Sequence, residues 1–525
     1  MSWNEERSRE RIRRFIDTVP QGDIIVEDFV EFAKRSRTIK AEAGLEVLSA
    51  REALMHIPHN RAISTHGVHV YANLMRFNDV LVDAGRETEA SHRRALEFLH
   101  AHYAACDALV AEFDLQRVDF HGSRLHAVAL TPEGRENEPE RIRKGIAFAA
   151  AFQELVDKLG DEYPQFATPV RIGLDSGPAV AIDGGKSGEH EPLFVGSPAN
   201  HAAKLASGDE PGLFVSERLN RVREPNAGFY QGPRPFATHA ALEVLDEYVG
   251  RRPIFEAGSG LEVALTATRR VISEDKAGAT TSFSFHYHSP PLKTIEFIKL
   301  PPSNAVRMPM ASVFADVDGF TAYIDRAIAR GQIAEAVANL HVIRAEMAAV
   351  VRDDFAGRKI RFIGDCVHAV IADGSATAVN AVDTVRLAVM TAGGIRSSFD
   401  LCRRMLPGID ELGIAIGIDF GETPVCRLGL RGEGSVRAAT SRATCISEAE
   451  QQRCDGSETA VGERALAAGP AVVRQVFGAD RKVRNLNYAN AGMLMGTLAA
   501  PHAAPRAAEP LRAHEVERTM RAHAR

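Results

Sequence analysis

The sequence predicts an α/β fold built from two tandem domains, because one pattern of segments occurs twice along the chain. Three segments of the first half recur in the second half about 243 positions later, each with similar neighbours. The corresponding residues are Asn73 and Asp316, Ser123 and Asp365, and Gly173 and Gly417. A period of this length indicates two repeated domains and excludes a solenoid, whose repeats are roughly 20–50 residues long.

Each repeat is predicted to contain an apolar strand, helices, a two-stranded hairpin, a further helix, a second strand and a final helix. Apolar residues at three- and four-residue spacing indicate the helices, and alternation indicates the strands. In the first repeat the predicted elements are strand 66–74, helix 88–111, hairpin 118–130, helix 140–158, strand 170–174 and helix 200–205. In the second they are strand 311–315, helices from 320 and over 334–351, a hairpin at 364–365, helix 375–401, strand 414–418 and a helix from 437. This order is typical of an α+β sandwich, in which helices cover a mixed sheet.

The predicted domain boundaries follow from composition and proline content. Residues 1–60 have helical spacing and form a leader that we expect to pack on the first domain or to mediate dimerisation. The first domain covers 61–285 and the second covers 307–505. Proline pairs place the linker between them at 286–306, since they cannot continue a helix or a central strand. The tail at 506–525 is expected to be frayed or weakly helical.

The composition favours an ordinary globular protein and gives no support to a nucleic-acid or membrane partner. Of the 525 residues, 45% are hydrophobic and 25% are charged, and the net charge is -6 with no large basic block. The six cysteines have neither disulfide-framework nor zinc spacing, which favours reduced thiols. No apolar run approaches the roughly 18 residues that span a bilayer, and the charged N-terminus does not look like a signal peptide. We therefore expect a cytoplasmic protein.

Two aspartates of the second repeat are candidate metal ligands. Asp316 ends an apolar strand and Asp365 lies in the predicted hairpin turn, so both carboxylates are expected at adjacent strand ends. Carboxylate oxygens suit divalent ions that take substrate phosphates as further ligands. Turn chemistry is the alternative, because aspartate beside glycine is common in loops. The first repeat lacks both carboxylates, which predicts one composite site shared by the two halves.

The segments 314–321 (FADVDGFT) and 358–365 (RKIRFIGD) resemble the two metal-binding motifs of class III nucleotidyl cyclases. The resemblance extends over both repeats, from about residue 66 to residue 500. It implies two ferredoxin-like domains that pack head to tail as a pseudo-dimer, with the active site at their interface. A nucleoside triphosphate would cyclise there as its 3′ hydroxyl attacks the α-phosphate and expels pyrophosphate. The resemblance assigns Asp316, Val317 and Asp365 to the binding of two Mg²⁺ or Mn²⁺ ions.

The first repeat resembles the metal-free half of the heterodimeric adenylyl cyclases, which supplies an asparagine and a basic residue from one helix. Segment 194–205 (FVGSPANHAAKL) matches this pattern, so the resemblance assigns catalytic roles to Asn200 and Lys204. Asn200 would orient the ribose, and Lys204 would stabilise charge on the transferring phosphate in place of the usual arginine. In the second repeat we align Ala438 and Arg442 with these positions, and we expect that pseudo-symmetric site to be inactive.

The positions that read the base in purine cyclases carry different residues in this chain. The resemblance places Asp119 and Leu193 there, where adenylyl cyclases have a lysine and an aspartate or threonine. Tyr71 on the first strand could narrow the pocket around a small base, and Arg361 is a further substrate-binding candidate. In these departures the chain resembles the bacterial pyrimidine cyclases of anti-phage signalling, which make cyclic UMP or cyclic CMP. UTP or CTP is therefore the expected substrate, with ATP and GTP as alternatives.

The expected function is that of a nucleotide cyclase that makes a second messenger for a separate cyclic-nucleotide-activated effector. One chain can form the composite site, so a monomer and a homodimer both agree with the sequence. The alternative is a non-catalytic, nucleotide-binding regulatory protein on a cyclase scaffold. Retention of both metal aspartates argues against that alternative.

Overall fold

The structure is a computed structural model that describes residues 2–19, 22–42, 54, 57–184, 192–224, 234–250, 259–276, 283–429 and 435–496. The predicted tail at 506–525 lies outside the described residues. None of the helices in these ranges combines the length and the apolar composition needed to cross a membrane.

Two mixed β-sheets follow each other along the chain, one in each repeat. The first contains β1 (Ile25–Asp28), β2 (Arg61–Leu74), β3 (Gln116–His121), β4 (Arg124–Ala129), β5 (Val170–Asp183), β6 (Pro192–Val195), β7 (Gly212–Val215) and β8 (Arg234–Phe236). The second contains β9 (Phe285–His286), β10 (Ala305–Asp318), β11 (Arg358–Ile363), β12 (Cys366–Ile371), β13 (Gly413–Leu428), β14 (Val436–Ala439), β15 (Glu458–Val461) and β16 (Lys482–Arg484). The strand orders are β3-β4-β2-β5-β7-β8 and β11-β12-β10-β13-β15-β16, so the two sheets have the same topology. This confirms the predicted fold class.

Helices pack against each of the two sheets. Those of the first half are α1 (Glu5–Thr18), α2 (Phe29–Glu42), α3 (Phe77–Val80), α4 (Glu89–Glu112), α5 (Glu138–Glu162), α6 (Ser197–Leu205), α7 (Glu217–Arg223), α8 (Thr238–Gly250) and α9 (Ser259–Lys276). Those of the second half are α10 (Phe320–Arg330), α11 (Ile333–Ala349), α12 (Ala381–Met405), α13 (Arg442–Gln452), α14 (Glu463–Ala468), α15 (Ala471–Phe477) and α16 (Tyr488–Leu494). The helix predicted from residue 437 begins later, at Arg442, because β14 occupies the preceding residues.

The central strands are longer than the sequence predicted. Strand β5 continues through Gly177 and Pro178 to Asp183, although its prediction ended at residue 174. Proline interrupts most central strands because it lacks a backbone N–H. Here Pro178 pairs with β2 on one side, and on the other side it falls between the residues that pair with β7 and those that pair with β6. Because neither β6 nor β7 pairs with Pro178, the missing N–H interrupts no pairing on that side, and the strand continues.

The leading helix of each repeat packs on the other repeat. Helix α1 precedes β1 and packs on α11 and α12, whereas α9 precedes β9 and packs on α4 and α5. The short strands β1 and β9 each pair in parallel with the start of the long first strand of their own repeat. The repeating unit therefore includes the leader, and the two units are interlocked.

The leader differs from its prediction in two respects. It contains the strand β1, and its first helix packs on the second repeat rather than on the first domain. The buried side chain of Arg11 donates from Nε to Glu346 at 2.6 Å and from Nη2 to Asp354 at 3.0 Å. These ion pairs fix α1 on the second repeat, whereas α2 lies against β1 and β2.

The two repeats also share apolar cores. Ile182, Leu193 and Val195 of the first sheet pack in one buried cluster with residues of α10 and α11. Cys426 and Leu428 of the second sheet pack in the cluster that contains α4 and α5. This reciprocal burial is the head-to-tail packing expected of a pseudo-dimer.

Candidate active site

The two candidate metal ligands meet at the end of the second sheet. Asp316 lies near the end of β10, which pairs with β12, and Asp365 lies in the β11–β12 turn directly before β12. Gly364 has a φ of 63°, which lets the turn reverse the chain at this point. The backbone N–H of Val317 donates a hydrogen bond to the Asp365 carboxylate. The structure therefore places the two carboxylates side by side, at the strand ends where the sequence located them.

The electrostatics of this pair fit a cation. Burial, and then the neighbouring Asp316, raise the pKa of Asp365 well above its usual range. Burial, and then Asp318, raise the pKa of Asp316 to about 6. A divalent ion beside these two buried carboxylates would stabilise the ionised form of both. Within the described residues no cluster of three or more His, Cys, Asp or Glu side chains forms a metal site. Further ligands would therefore have to come from backbone, water or substrate oxygens.

Helix α6 of the first repeat contacts α10 of the second repeat, the helix that follows Asp316 along the chain. The side chain of Asn200 donates from Nδ2 to Oγ1 of Thr321, at 2.8 Å. Lys204, one turn further along α6, is exposed. The backbone N–H of Ser197, at the start of α6, donates to Oδ1 of Asp325 at 3.0 Å. The catalytic candidates of one repeat thus lie beside the helix that follows the metal aspartates of the other.

Asp119 and Arg361 were both predicted to bind substrate, and the structure pairs them with each other. Each lies three residues before the turn glycine of its hairpin and directly after a shift in strand register. Arg361 donates from Nη2 to the Asp119 carboxylate and from Nη1 to the carbonyl oxygen of Phe120. Burial lowers the pKa of Arg361 to about 10. Asp119 therefore shares its carboxylate with a cation of the other repeat.

Tyr71 lies on β2 and stacks on His126 of the neighbouring strand, with ring centroids 4.1 Å apart and planes 16° apart. His126 is hydrogen-bonded to His69, with Nε2 and Nδ1 at 3.0 Å. Burial lowers the pKa of His69 to about 3 and that of His126 well below its usual value, so both rings are neutral. The neutral histidine pair therefore supports one face of the Tyr71 ring.

Leu193 is 8% exposed and belongs to the core between β5 and the helices α10 and α11. It pairs with Ile182 in the sheet. Its side chain is apolar and cannot form a hydrogen bond with a ligand.

The sequence alignment of the second, pseudo-symmetric site was wrong. Ala438 pairs with Cys426 on β13, just as Leu193 pairs with Ile182 on β5. Arg442 begins α13 as Ser197 begins α6, and its N–H donates to Glu87 of the other repeat at 2.7 Å. Ala438 and Arg442 therefore correspond to Leu193 and Ser197. The residues at the positions of Asn200 and Lys204 are Cys445 and Ala449.

A cavity of about 230 Å³ occupies this second site. Its walls include residues from both repeats: Asn73, Asn78, Ser123, Arg361, Cys445 and Ala449. The positions of the two metal aspartates are taken by Asn73 and Ser123, and those of Asn200 and Lys204 by Cys445 and Ala449. The expectation that this site is inactive is consistent with the residues that line it.

Two further residues at the first site were not singled out from the sequence. Thr321 and Asp325 lie one turn apart on α10, and both contact α6. Thr321 was visible only as the last residue of the motif FADVDGFT. Asp325 had no sequence signal beyond its spacing of four residues from Thr321, because its partner is 128 positions away in the chain.

Comparison with known proteins finds relatives that match nearly the whole chain. No protein-family model matches it. The chain is 43% identical over 484 residues to a uridylate cyclase of a Rhizobium species, covering 91% of this chain and 92% of that protein. It is 36% identical over 496 residues to a uridylate cyclase of Pseudomonas aeruginosa, covering 93% and 90% of the two chains.

A solved structure has the same architecture. The crystal structure of a class III adenylyl cyclase-like ATP-binding protein from Pseudomonas aeruginosa has a TM-score of 0.79 at 34% identity. The match covers 94% of this chain and 100% of that one. The chain therefore belongs to the family of these uridylate cyclases and is a class III nucleotide cyclase, as its motifs predicted.

Proposed function

We propose that this enzyme converts UTP to 3′,5′-cyclic UMP and pyrophosphate at one composite site between its repeats. The observation that supports the composite site most directly is the hydrogen bond from Asn200 of the first repeat to Thr321. Thr321 follows Asp316 by five residues, so this bond joins the catalytic helix to the metal-binding segment. The two relatives named uridylate cyclases support UTP as the substrate.

Asp316 and Asp365, with Val317 beside them, are the residues that would hold two Mg²⁺ or Mn²⁺ ions. Such ions supply Lewis-acid chemistry, since they lower the pKa of a bound hydroxyl and neutralise phosphate oxygens. The raised pKa of both carboxylates supports this assignment, because a cation would offset the burial and the neighbouring carboxylate charges that raise it.

In the proposed reaction the 3′ oxygen of UTP bonds to the α-phosphorus, and the bond from that phosphorus to the β-phosphate oxygen breaks. The hydroxyl proton is released to water and pyrophosphate leaves with the bonding electrons. Asn200 would orient the ribose through the part of its amide that Thr321 does not engage. Lys204 would neutralise charge that grows on the α-phosphate, as a point charge rather than the bidentate fork of an arginine.

The base pocket favours uracil for a chemical reason. Uracil presents an N3–H donor, whereas N3 of cytosine is an acceptor. The Asp119 carboxylate accepts from Arg361, and it would likewise accept the uracil N3–H. Leu193 would form an apolar wall, and Tyr71 on its histidine support would limit the space available to a purine. CTP and ATP are the alternative substrates.

We further propose that cyclic UMP acts on a separate effector in bacterial antiviral signalling, and that the enzyme works in the cytoplasm. The resemblance to the pyrimidine cyclases of anti-phage signalling supports this. The test is the cyclic UMP content of bacteria that carry this chain, measured before and after phage infection. A content that does not rise on infection would contradict the antiviral role and leave the enzymatic proposal intact. Light scattering of the purified enzyme would distinguish a monomer from a homodimer.

The enzymatic proposal is tested by incubating the purified chain with UTP, CTP, ATP or GTP and Mn²⁺, and analysing the products by mass spectrometry. We expect cyclic UMP from the wild type and from an exposed control variant, Glu296→Gln, but not from Asp316→Asn. Cyclic AMP as the main product would agree with the proposed cyclisation mechanism and would contradict the choice of uracil as the base. A chain that binds UTP without forming any product would support the regulatory alternative.

A further inference from the structure

We propose that Thr321 and Asp325 are positioning residues that set the geometry of the active site from the opposite repeat. The inference rests on the proposed function and goes beyond it, since neither residue belongs to the metal pair or to the catalytic helix. Thr321 would orient the amide of Asn200, and Asp325 would fix the start of α6.

The start of α6 cannot cap itself. Its N-cap residue is Gly196, which has no side chain to accept a hydrogen bond from the first turn. Asp325 supplies this acceptor from the second repeat, because its carboxylate accepts both the N–H and the hydroxyl of Ser197. A carboxylate at a helix N-terminus is further stabilised by the helix dipole. The position of α6 is therefore tied to α10.

The amide of Asn200 is tied to the same helix. One of its two N–H bonds points at Oγ1 of Thr321, at 2.8 Å, which leaves the amide oxygen and the other N–H for a ligand. Thr321 and Asp325 are four residues apart on α10 and so lie on one face of that helix. The two contacts together fix both the axial position of α6 and the rotation of its functional side chain.

Helix α10 connects these contacts with α6 to Asp316, one of the two candidate metal ligands. It begins immediately after Gly319, whose φ of 85° makes the turn from β10, the strand that carries Asp316. A single short stretch of chain thus holds a metal ligand at one end and both contacts to α6 at the other. Displacements of about 1 Å between reacting groups can cost on the order of 100-fold in rate.

The second site provides an internal comparison. There Glu87 caps α13 through the N–H of Arg442, so the cap exists in both halves. The residues at the positions of Thr321 and Asn200 are Asn78 and Cys445, which line the cavity. Helix α13, unlike α6, also has a side-chain cap from its own N-cap residue, Ser441. The contact between Asn200 and Thr321 lies at the site that contains the two metal-binding candidates.

The first experiment compares Thr321→Val, which removes the accepting oxygen at nearly constant volume, with Thr321→Ser, which keeps it. With UTP and Mn²⁺ we expect Thr321→Val to lower kcat by about 10- to 100-fold while KM changes by less than about threefold. Thr321→Ser should keep most of the activity, and the midpoint of thermal unfolding should be nearly unchanged in both. Equal kcat for the wild type and Thr321→Val would overturn the role of Thr321.

The second experiment tests Asp325 without requiring turnover. Hydrogen exchange of the α6 backbone amides should be faster in Asp325→Asn by about fivefold or more, and unchanged in the control Glu296→Gln. In kinetics, Ser197→Ala and Asp325→Ala should each lower kcat, and the double variant should be no slower than Asp325→Ala alone. Unchanged exchange together with unchanged kcat would overturn the role of Asp325. A wild type that forms no product would instead count against the proposed function, and the exchange measurement would still decide the contact.

Discussion

Asp119 and Arg361 occupy equivalent positions in the hairpins of the two repeats, and they form an ion pair with each other across the domain interface. In a symmetric pair of identical repeats the same positions would bring together two aspartates or two arginines, and these would repel. Opposite charges at the two positions therefore favour the pairing of the first repeat with the second repeat over its pairing with a copy of itself. The pair thus contributes to the specificity of the pseudo-dimer.

Charge-reversal variants of this ion pair should affect the stability of the protein and its activity with UTP in different ways. The Arg361 and Asp119 side chains are 12% and 22% exposed, so Asp119→Arg or Arg361→Asp alone should destabilise the protein by about 3 kcal/mol or more. The double variant should recover much of the midpoint of thermal unfolding, because it restores opposite charges. It should not recover activity with UTP, since an arginine would then stand at the base-reading position. Recovery of both properties would contradict the proposed role of Asp119.

Loss of the metal-binding carboxylates should have opposite effects on activity and on the stability of the metal-free protein. Asp365→Asn should reduce cyclic UMP formation by about 1000-fold or more, because the ions lose a ligand. In the presence of a chelator it should raise the midpoint of thermal unfolding, since Asp316 no longer faces a second carboxylate. Calorimetry of the wild type and of Asp365→Asn, with and without Mn²⁺, measures the midpoint of thermal unfolding. A metal-free variant less stable than the wild type would argue against repulsion between the two groups.

The exposed cation of α6 should contribute to the chemical step. Lys204→Ala should lower kcat by about 100-fold with a smaller change in KM, as expected for a group that acts on developing charge. Lys204→Arg keeps the cation and should remain active within about tenfold of the wild type. Steady-state kinetics with UTP and Mn²⁺ provide the measurement. The exposed residue Lys299, whose side chain pairs with Glu296, gives the control variant Lys299→Ala, which should behave as the wild type does.

Asp175 and Asp419 are equivalent in the two sheets, but their pKa values shift in opposite directions. Burial raises the pKa of Asp419 to about 7. Burial also opposes ionisation of Asp175, but His201, Arg218 and Ser216 outweigh it and lower the pKa of that carboxyl. A raised pKa in the folded state means that stability falls as the pH rises from about 4 to about 7, and the loss is complete above that range. Asp419→Asn avoids this loss, so it should raise the unfolding midpoint most at pH 8 and less at pH 5. Asp175→Asn should lower the midpoint at both pH values, and thermal denaturation at each pH checks the two signs.

The leading helix should be essential for stability through Arg11. Its guanidinium is 6% exposed and pairs with Glu346 and Asp354, which are each 1% exposed. Arg11→Met would leave the buried Glu346 without its cation and Asp354 with only Arg7, whose side chain is half exposed, at a cost of about 3–5 kcal/mol. The exposed Arg9, which pairs with Glu5, offers the control Arg9→Met and should cost less than about 0.5 kcal/mol. Similar thermal midpoints for the two variants would contradict the importance of the buried cluster.

The sequence alone determined the duplication, the fold class and the class of enzyme. Apolar periodicity is a local property of the chain, and it predicted four adjacent strands of each sheet and the long helices α4, α5, α11 and α12. The aspartates at the end of β10 and in the β11–β12 turn were identifiable for the same reason. Adjacent strands of one sheet place them together without any information from the rest of the fold.

Only the tertiary structure decided how the two repeats complete each other. The exchange of α1 and α9, the pair formed by Asp119 and Arg361, and the contacts of α10 with α6 join residues that lie more than 100 positions apart. No short-range pattern encodes such contacts, because they depend on the relative placement of two separately folded sheets. The alignment error at Arg442 has the same origin, since strand register, and not residue similarity, fixes which residue faces the site.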